Sequence, residues 1–220
     1  MLIGSFGGAL LGFLTSALPE WTDTPRLHGR PLLLLASLWA TARTIGILGA
    51  DAVWLIGLLL DQAWILVMLV YALRLAIARR TTDLLGFVLF LGTLAAAAAA
   101  LRLAIAVEDH DMAEMAIRIA GLALLGLFGL ALARITVPVT NLMLDPSEET
   151  SPYRPHPGRA NLSAGLTMLV ILAEFLGASE PVRGYLMVAA GAAFLDRVAE
   201  GFVGREGLTF ELAGLWLSSA

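Results

Sequence analysis

Apolar residues dominate this chain in long uninterrupted stretches, and the polar positions gather into short pieces between them. Crossing about 30 Å of hydrocarbon takes roughly 20 helical residues. The stretches 2–18, 31–49, 52–76, 84–107, 112–135, 161–177 and 184–203 meet that length to within a few residues. Between them lie PEWTDTPRLHGR, GAD, ARRTTD, EDHD, NLMLDPSEETSPYRPHPGR and ASEPVR, all rich in charge or turn-forming residues. The pattern predicts an all-α fold, a polytopic transmembrane helical bundle of about seven helices. A short apolar segment, 207–220, follows, too short to cross. A membrane β-barrel would alternate polar and apolar residues over segments of about 10, and no such alternation occurs. The 220 residues therefore read as a single transmembrane domain.

Composition agrees with lipid as the solvent. Hydrophobic residues make up 59% of the chain and charged ones 15%, with a mean hydropathy of +0.84. Soluble domains carry about 25% charged residues, and a chain of this length has no core large enough to hide the excess of apolar ones.

Orientation comes from arginine, since all 14 basic residues are arginine. Alternate loops carry Arg26 and Arg30, Arg79 and Arg80, Arg154 and Arg159, then Arg205. The opposite loops offer GAD, EDHD and Arg183. Arginine-bearing loops stay in the cytoplasm, so a bacterial inner-membrane protein is expected, with its first residues and Glu108–Asp111 facing the periplasm. The net charge of −4 does not bear on this, because topology follows Lys and Arg. No basic patch points to nucleic acid. With no cysteine there is no disulfide, iron–sulfur cluster or thiolate metal site. Residues 2–18 lack the basic start and the cleavage site of a signal peptide.

Gly4, Gly8 and Gly12 recur every fourth residue and leave a groove along one helical face. It serves either packing within the bundle or contact with a second copy. The run Ala95–Ala100 likewise permits close helix packing.

Charges at membrane depth cost about 2.5–3.5 kcal/mol each on insertion scales and need partners or a purpose. At about 1.5 Å per residue, Arg43 lies ~18 Å and Asp61 ~16 Å from the cytoplasmic face. Their helices are joined by a couple of residues and so are antiparallel neighbours. The two are expected to pair, either fixing helix register or lining a cofactor or proton site. Glu174 lies ~9 Å deep by the same rise. Asp196 and Arg197 are adjacent and face different directions. Arg102, Glu114 and Arg118 fall near the periplasmic boundary and read as a solvated interface, with Glu114 and Arg118 paired one turn apart. Trp21, Trp54, Trp216 and Tyr153 suit interfacial belts, and Trp39 and Trp64 suit packing.

His28, His110 and His156 all fall in loops, without the spacing of a metal pair. Met143, Met168 and Met187 read as apolar filler rather than axial ligands. No metal box, nucleophile triad or phosphate-cradling loop occurs.

Several stretches resemble the NnrS family. Gly12, Phe13, Leu14, Pro19, Trp21 and Thr22 are similar to the end of its second helix. Leu38, Trp39 and Arg43 match its Leu-Trp followed by small residues and an arginine. Asp61 matches an aspartate of the following helix. Arg134, Pro138, Thr140 and Asn141 resemble a later arginine–Pro–Thr–Asn stretch, followed by the same long loop. The resemblance runs in order from residue 1 to about 200. It implies a polytopic membrane protein associated with haem and copper and linked to nitric oxide and denitrification. Members have about twelve helices, and a His-Glu pair precedes the position of Met1. The resemblance therefore implies a partial chain, the alternative being a short, histidine-poor relative. Beside this reading stand a cofactor-free membrane subunit or assembly partner of a respiratory complex, and a small-solute or proton-coupled transporter. The transporter reading rests on Arg43, Asp61 and Glu174 within the membrane.

Overall fold

A computed structural model describes residues 2–48, 54–145, 147, 149, 150, 153, 154, 161–200, 210 and 214. Among them the chain is all-helical: α1 (Leu2–Trp21), α2 (Arg30–Leu48), α3 (Trp54–Arg79), α4 (Leu85–Ala106), α5 (His110–Leu144), α6 (Leu162–Phe175) and α7 (Glu180–Glu200). Four of these, α2 to α5, are long and apolar enough to cross a membrane. At 14 residues, α6 is apolar but only ~21 Å long by its rise. Five charged residues, Glu180, Arg183, Asp196, Arg197 and Glu200, punctuate α7.

The chain forms two compact units, 1–124 and 125–220. In the first, α3 is central and packs against α1, α2 and α4. Its inward side is built from Trp64, Ile65, Met68 and Ala72, all fully buried. Leu14 and Leu18 of α1 and Leu91 and Leu94 of α4 are fully buried as well. The alanine run of α4 is half of this packing, since Ala95, Ala97 and Ala98 are buried. Small side chains let the α3 and α4 backbones approach closely, the usual device where no hydrophobic effect drives helices together. Large apolar residues point the other way: Leu33, Leu34, Ile47 and Leu48 on α2, and Leu59, Val67 and Ile77 on α3, are exposed. In water that would be an aggregation-prone surface; in hydrocarbon it is solvated.

In the second unit α6 packs against α7. Phe194 of α7 closes on Gly129 of α5, where an added Cβ would stand 3.1 Å from the ring. Asn141 brackets Tyr153, donating to its carbonyl at 3.1 Å and accepting from its N–H at 2.8 Å. Tyr153 is consequently buried, not placed in an interfacial belt.

Four helices stop by the same local device. After α1, α3, α4 and α6, the N–H two residues past the turn reaches back five positions, as in Thr24 to Pro19, Thr81 to Ala76, Asp109 to Ala104 and Ala178 to Ala173. The residue before each donor lies in the left-handed region: Asp23 (φ 49), Arg80 (φ 49), Glu108 (φ 57) and Gly177 (φ 65). This is the Schellman cap, for which glycine is favoured. Only α6 has it.

The hydropathy pattern ends the fifth stretch at 135, yet α5 continues to Leu144 through Pro138. A proline removes one rung of the helical ladder and bends a helix more readily than it ends one. The Thr136 hydroxyl, donating to the Leu132 carbonyl at 2.8 Å, is satisfied inside the same helix.

Candidate functional site

The first unit holds a polar cluster among apolar helices. Asp61 lies about two turns into α3 by its rise, with Arg43 and Arg102 near the C-terminal ends of α2 and α4. Antiparallel packing brings these three points to one end of the unit, ~6–10 Å from the helix termini. Arg43 and Arg102 both form ion pairs with Asp61, one on each carboxylate oxygen. Trp64 Nε1 donates to Asp61 Oδ1 at 3.0 Å. Arg102 Nη1 donates to Gln62 Oε1 at 2.6 Å, and Gln62 Nε2 donates to the Ala95 carbonyl at 3.1 Å. That last bond reaches a helix backbone that only small side chains leave accessible. The side chains of Asp61, Arg102 and Arg43 are 15%, 17% and 24% exposed. Two guanidinium groups on one carboxylate leave the cluster with a net charge of +1.

Trp64, which bonds to Asp61, meets Trp39 of α2 and Gly7 of α1. At Gly7 an added Cβ would stand 2.9 Å from Trp39 Nε1 and 3.0 Å from the Trp64 ring. At Gly8 it would stand 2.9 Å from the Trp39 ring. Gly12 faces open space, and the surroundings of Gly4 lie outside the described residues. The glycine that matters most beside Gly8 is thus Gly7, which a four-residue spacing passes over.

Arg102 corrects the reading of a solvated interface: it turns inward to Asp61 and Gln62. Its backbone does lie near the helix end, but the long arginine side chain spans the difference in depth. Glu114 and Arg118 stay exposed and face each other at 4.0 Å. The sequence signal for the larger cluster is the pair Asp61-Gln62, two adjacent polar residues in an otherwise apolar helix.

Glu174, Asp196, Arg197 and Arg134 belong to the second unit. Glu174 is 3% exposed and accepts from Arg183 Nη1 at 2.9 Å. The cap at Gly177 turns the chain so that the first turn of α7 brings Arg183 back onto the end of α6. Arg134 sits on α5 one turn before Pro138, and Asp196 near the end of α7. The side chain of Arg197 lies outside the described residues.

Beyond the helices, Asp145 gathers four donors: the hydroxyl and N–H of Ser147 at 2.5 and 3.1 Å, and those of Thr150 at 2.6 and 2.8 Å. The Ser147 and Thr150 hydroxyls, then the Thr150 N–H, hold its carboxyl down at about 2.

A family model described as NnrS protein matches residues 1–217. The chain belongs to the NnrS family. Neither a curated protein nor a solved structure matches it. The family's association with haem and copper can be held against the donor set of this chain. His28 rests against the Arg26 carbonyl at 2.8 Å in a loop, and His110 opens α5. His156 lies outside the described residues. Asp61, the carboxylate of the membrane cluster, is already taken by three nitrogen donors. Among the described residues no three His, Cys, Asp or Glu side chains come together. Copper prefers imidazole and sulfur ligands, and haem an axial side chain within the bundle. Among the described residues no group of His, Asp or Glu offers copper a ligand set.

Proposed function

We propose that this NnrS-family chain is a multi-pass protein of the bacterial inner membrane that serves the response to nitric oxide or denitrification. The family match over residues 1–217 carries this reading. Four apolar helices of membrane length support its place in lipid. The alternation of arginine between loops supports a cytoplasmic side at residues 26–30 and 79–80 and a periplasmic side at 108–111. The Arg43–Asp61–Arg102 cluster, costly in a membrane unless it has a use, is the part of this chain we assign to that role. No chemical step through haem or copper is assigned to these residues.

Disrupting the gene in its host should slow growth under a nitric oxide donor. The intact gene should restore growth, and the Asp61→Asn variant, expressed at equal level in the membrane, should not. Unchanged growth of the disrupted strain would overturn the role in nitric oxide metabolism.

A further inference from the structure

We propose that the open side of α3 seats an anionic phospholipid, with its phosphate on Arg74 and an acyl chain along the apolar stripe beside it. Helical spacing sets the stripe: Leu59, Leu66, Val70 and Ile77 follow one another at intervals of seven and four residues and share one side of α3. All four are exposed, at 63%, 43%, 45% and 67%. The fully buried residues of α3, Trp64, Ile65, Met68 and Ala72, fall on the opposite side of the helix. Arg74 belongs to the open side, four residues after Val70 and three before Ile77, and is the one charge on it. It is itself exposed, and among the described residues no carboxylate pairs with it.

An arginine within a membrane helix almost always turns inward and pairs there, as Arg43 and Arg102 do with Asp61. Arg74 departs from that rule. It stands five residues before α3 ends at Arg79, ~8 Å inside the helix end by its rise. At that depth the stem lies on hydrocarbon while the head group reaches the interface, where the acceptors are lipid phosphates. Charge at this end of the unit favours an anionic lipid. The α1–α2 and α3–α4 connections, drawn together by Arg79 on the Asp23 carbonyl, and the helix ends beside them carry more arginine than acid. Arg26, Arg30, Arg74, Arg79 and Arg80 stand there against Glu20, Asp23 and Asp83. Arg26 is paired with Glu20. Arg30 and Arg80 are exposed and, like Arg74, meet no carboxylate among the described residues. A zwitterionic headgroup brings its own cation and leaves that excess in place, whereas an anionic one compensates it. Free phosphate would meet Arg74 but leave the stripe uncovered. The inference rests on the place of this chain in lipid and is separate from the nitric oxide role proposed above.

The test mixes the full chain, in an uncharged detergent, with phosphatidylglycerol or with phosphatidylcholine of the same acyl chains. Native mass spectrometry counts the retained lipid and reads the number of protein copies. Phosphatidylglycerol should be retained in preference to phosphatidylcholine. Arg74→Gln, at an exposed position outside the packed core, should weaken phosphatidylglycerol binding about fivefold, the loss expected for one arginine beside an anionic headgroup. Its retention of phosphatidylcholine should not change. Arg74→Lys keeps the charge and should bind phosphatidylglycerol close to the natural level. Arg118→Gln, which removes an exposed arginine of α5, should leave both lipids as they were. Equal retention of the two lipids by the natural chain overturns the proposal. So does an unchanged affinity in Arg74→Gln, displacement of phosphatidylglycerol by sodium phosphate, or a dimer that retains neither lipid.

Discussion

Asp61 balances two arginines, so its removal does more than delete a contact. It leaves two positive groups with no counter-charge in a site mostly closed to water. Breaking one member of a buried ion pair costs about 3–5 kcal/mol, and the partial exposure here lowers the expectation to about 2–3 kcal/mol for Asp61→Ala. Arg43→Ala should cost less, because Arg102 still neutralises the carboxylate. In a double-mutant cycle read by thermal unfolding in detergent, Arg43→Ala made on the Asp61→Ala background should be near neutral or stabilising. Simple additivity would show the two residues uncoupled. Asp145 makes a separate prediction outside the membrane. Its folded carboxyl is depressed from 3.8 to about 2, so its stabilising contribution is fully present above pH about 4 and is lost as pH falls towards 2. The gap in unfolding temperature between the natural chain and Asp145→Asn should therefore hold steady at neutral pH and close over that acid range. Closure near pH 6 instead would assign it to another group.

At the level of elements, what reads from sequence is what depends on local pattern. Span lengths come from hydropathy. The nearness of Arg43 and Asp61 can be reasoned from equal depth and a short connection. Arg102 could not, because hydropathy locates a Cα and an arginine head group travels several ångströms from it. Gln62 and the Ala95 carbonyl meet only once the α3–α4 register is fixed, a tertiary fact with no local signature. The apolar stretch ends at 135, but α5 runs on to Leu144, because a helix continues past the point where hydropathy falls. The Schellman caps were equally invisible, since three of the four use Asp23, Arg80 or Glu108 where glycine is favoured. A left-handed conformation costs a non-glycine residue about 1–2 kcal/mol. Glu108→Gly should accordingly raise stability by about 1 kcal/mol, read as a higher unfolding temperature. A fall would mean that the Glu108 side chain contributes more than its backbone strain costs.

Across the whole molecule, arginine carries both the expected orientation, through the loops, and the Asp61 cluster, through Arg43 and Arg102. Arginines on α1–α2 and α3–α4 connections face one side, with Arg79 donating to the Asp23 carbonyl and so drawing those two loops together. The cluster lies near the opposite end of the same helices. Positive charge in the loops at one end of these helices, and a separate positive charge held by one carboxylate near the other, is the pattern expected of a membrane protein with those loops in the cytoplasm. The exposed leucines and isoleucines of α2 and α3 follow from the same cause. Because the chain contains no cysteine, its orientation can be read with single introduced thiols. Asp109→Cys and Thr82→Cys should be made separately and exposed in intact spheroplasts to a maleimide that cannot cross the membrane. Residue 109 should label at once and residue 82 only after permeabilisation; labelling of both without permeabilisation, or of 82 alone, would contradict the account.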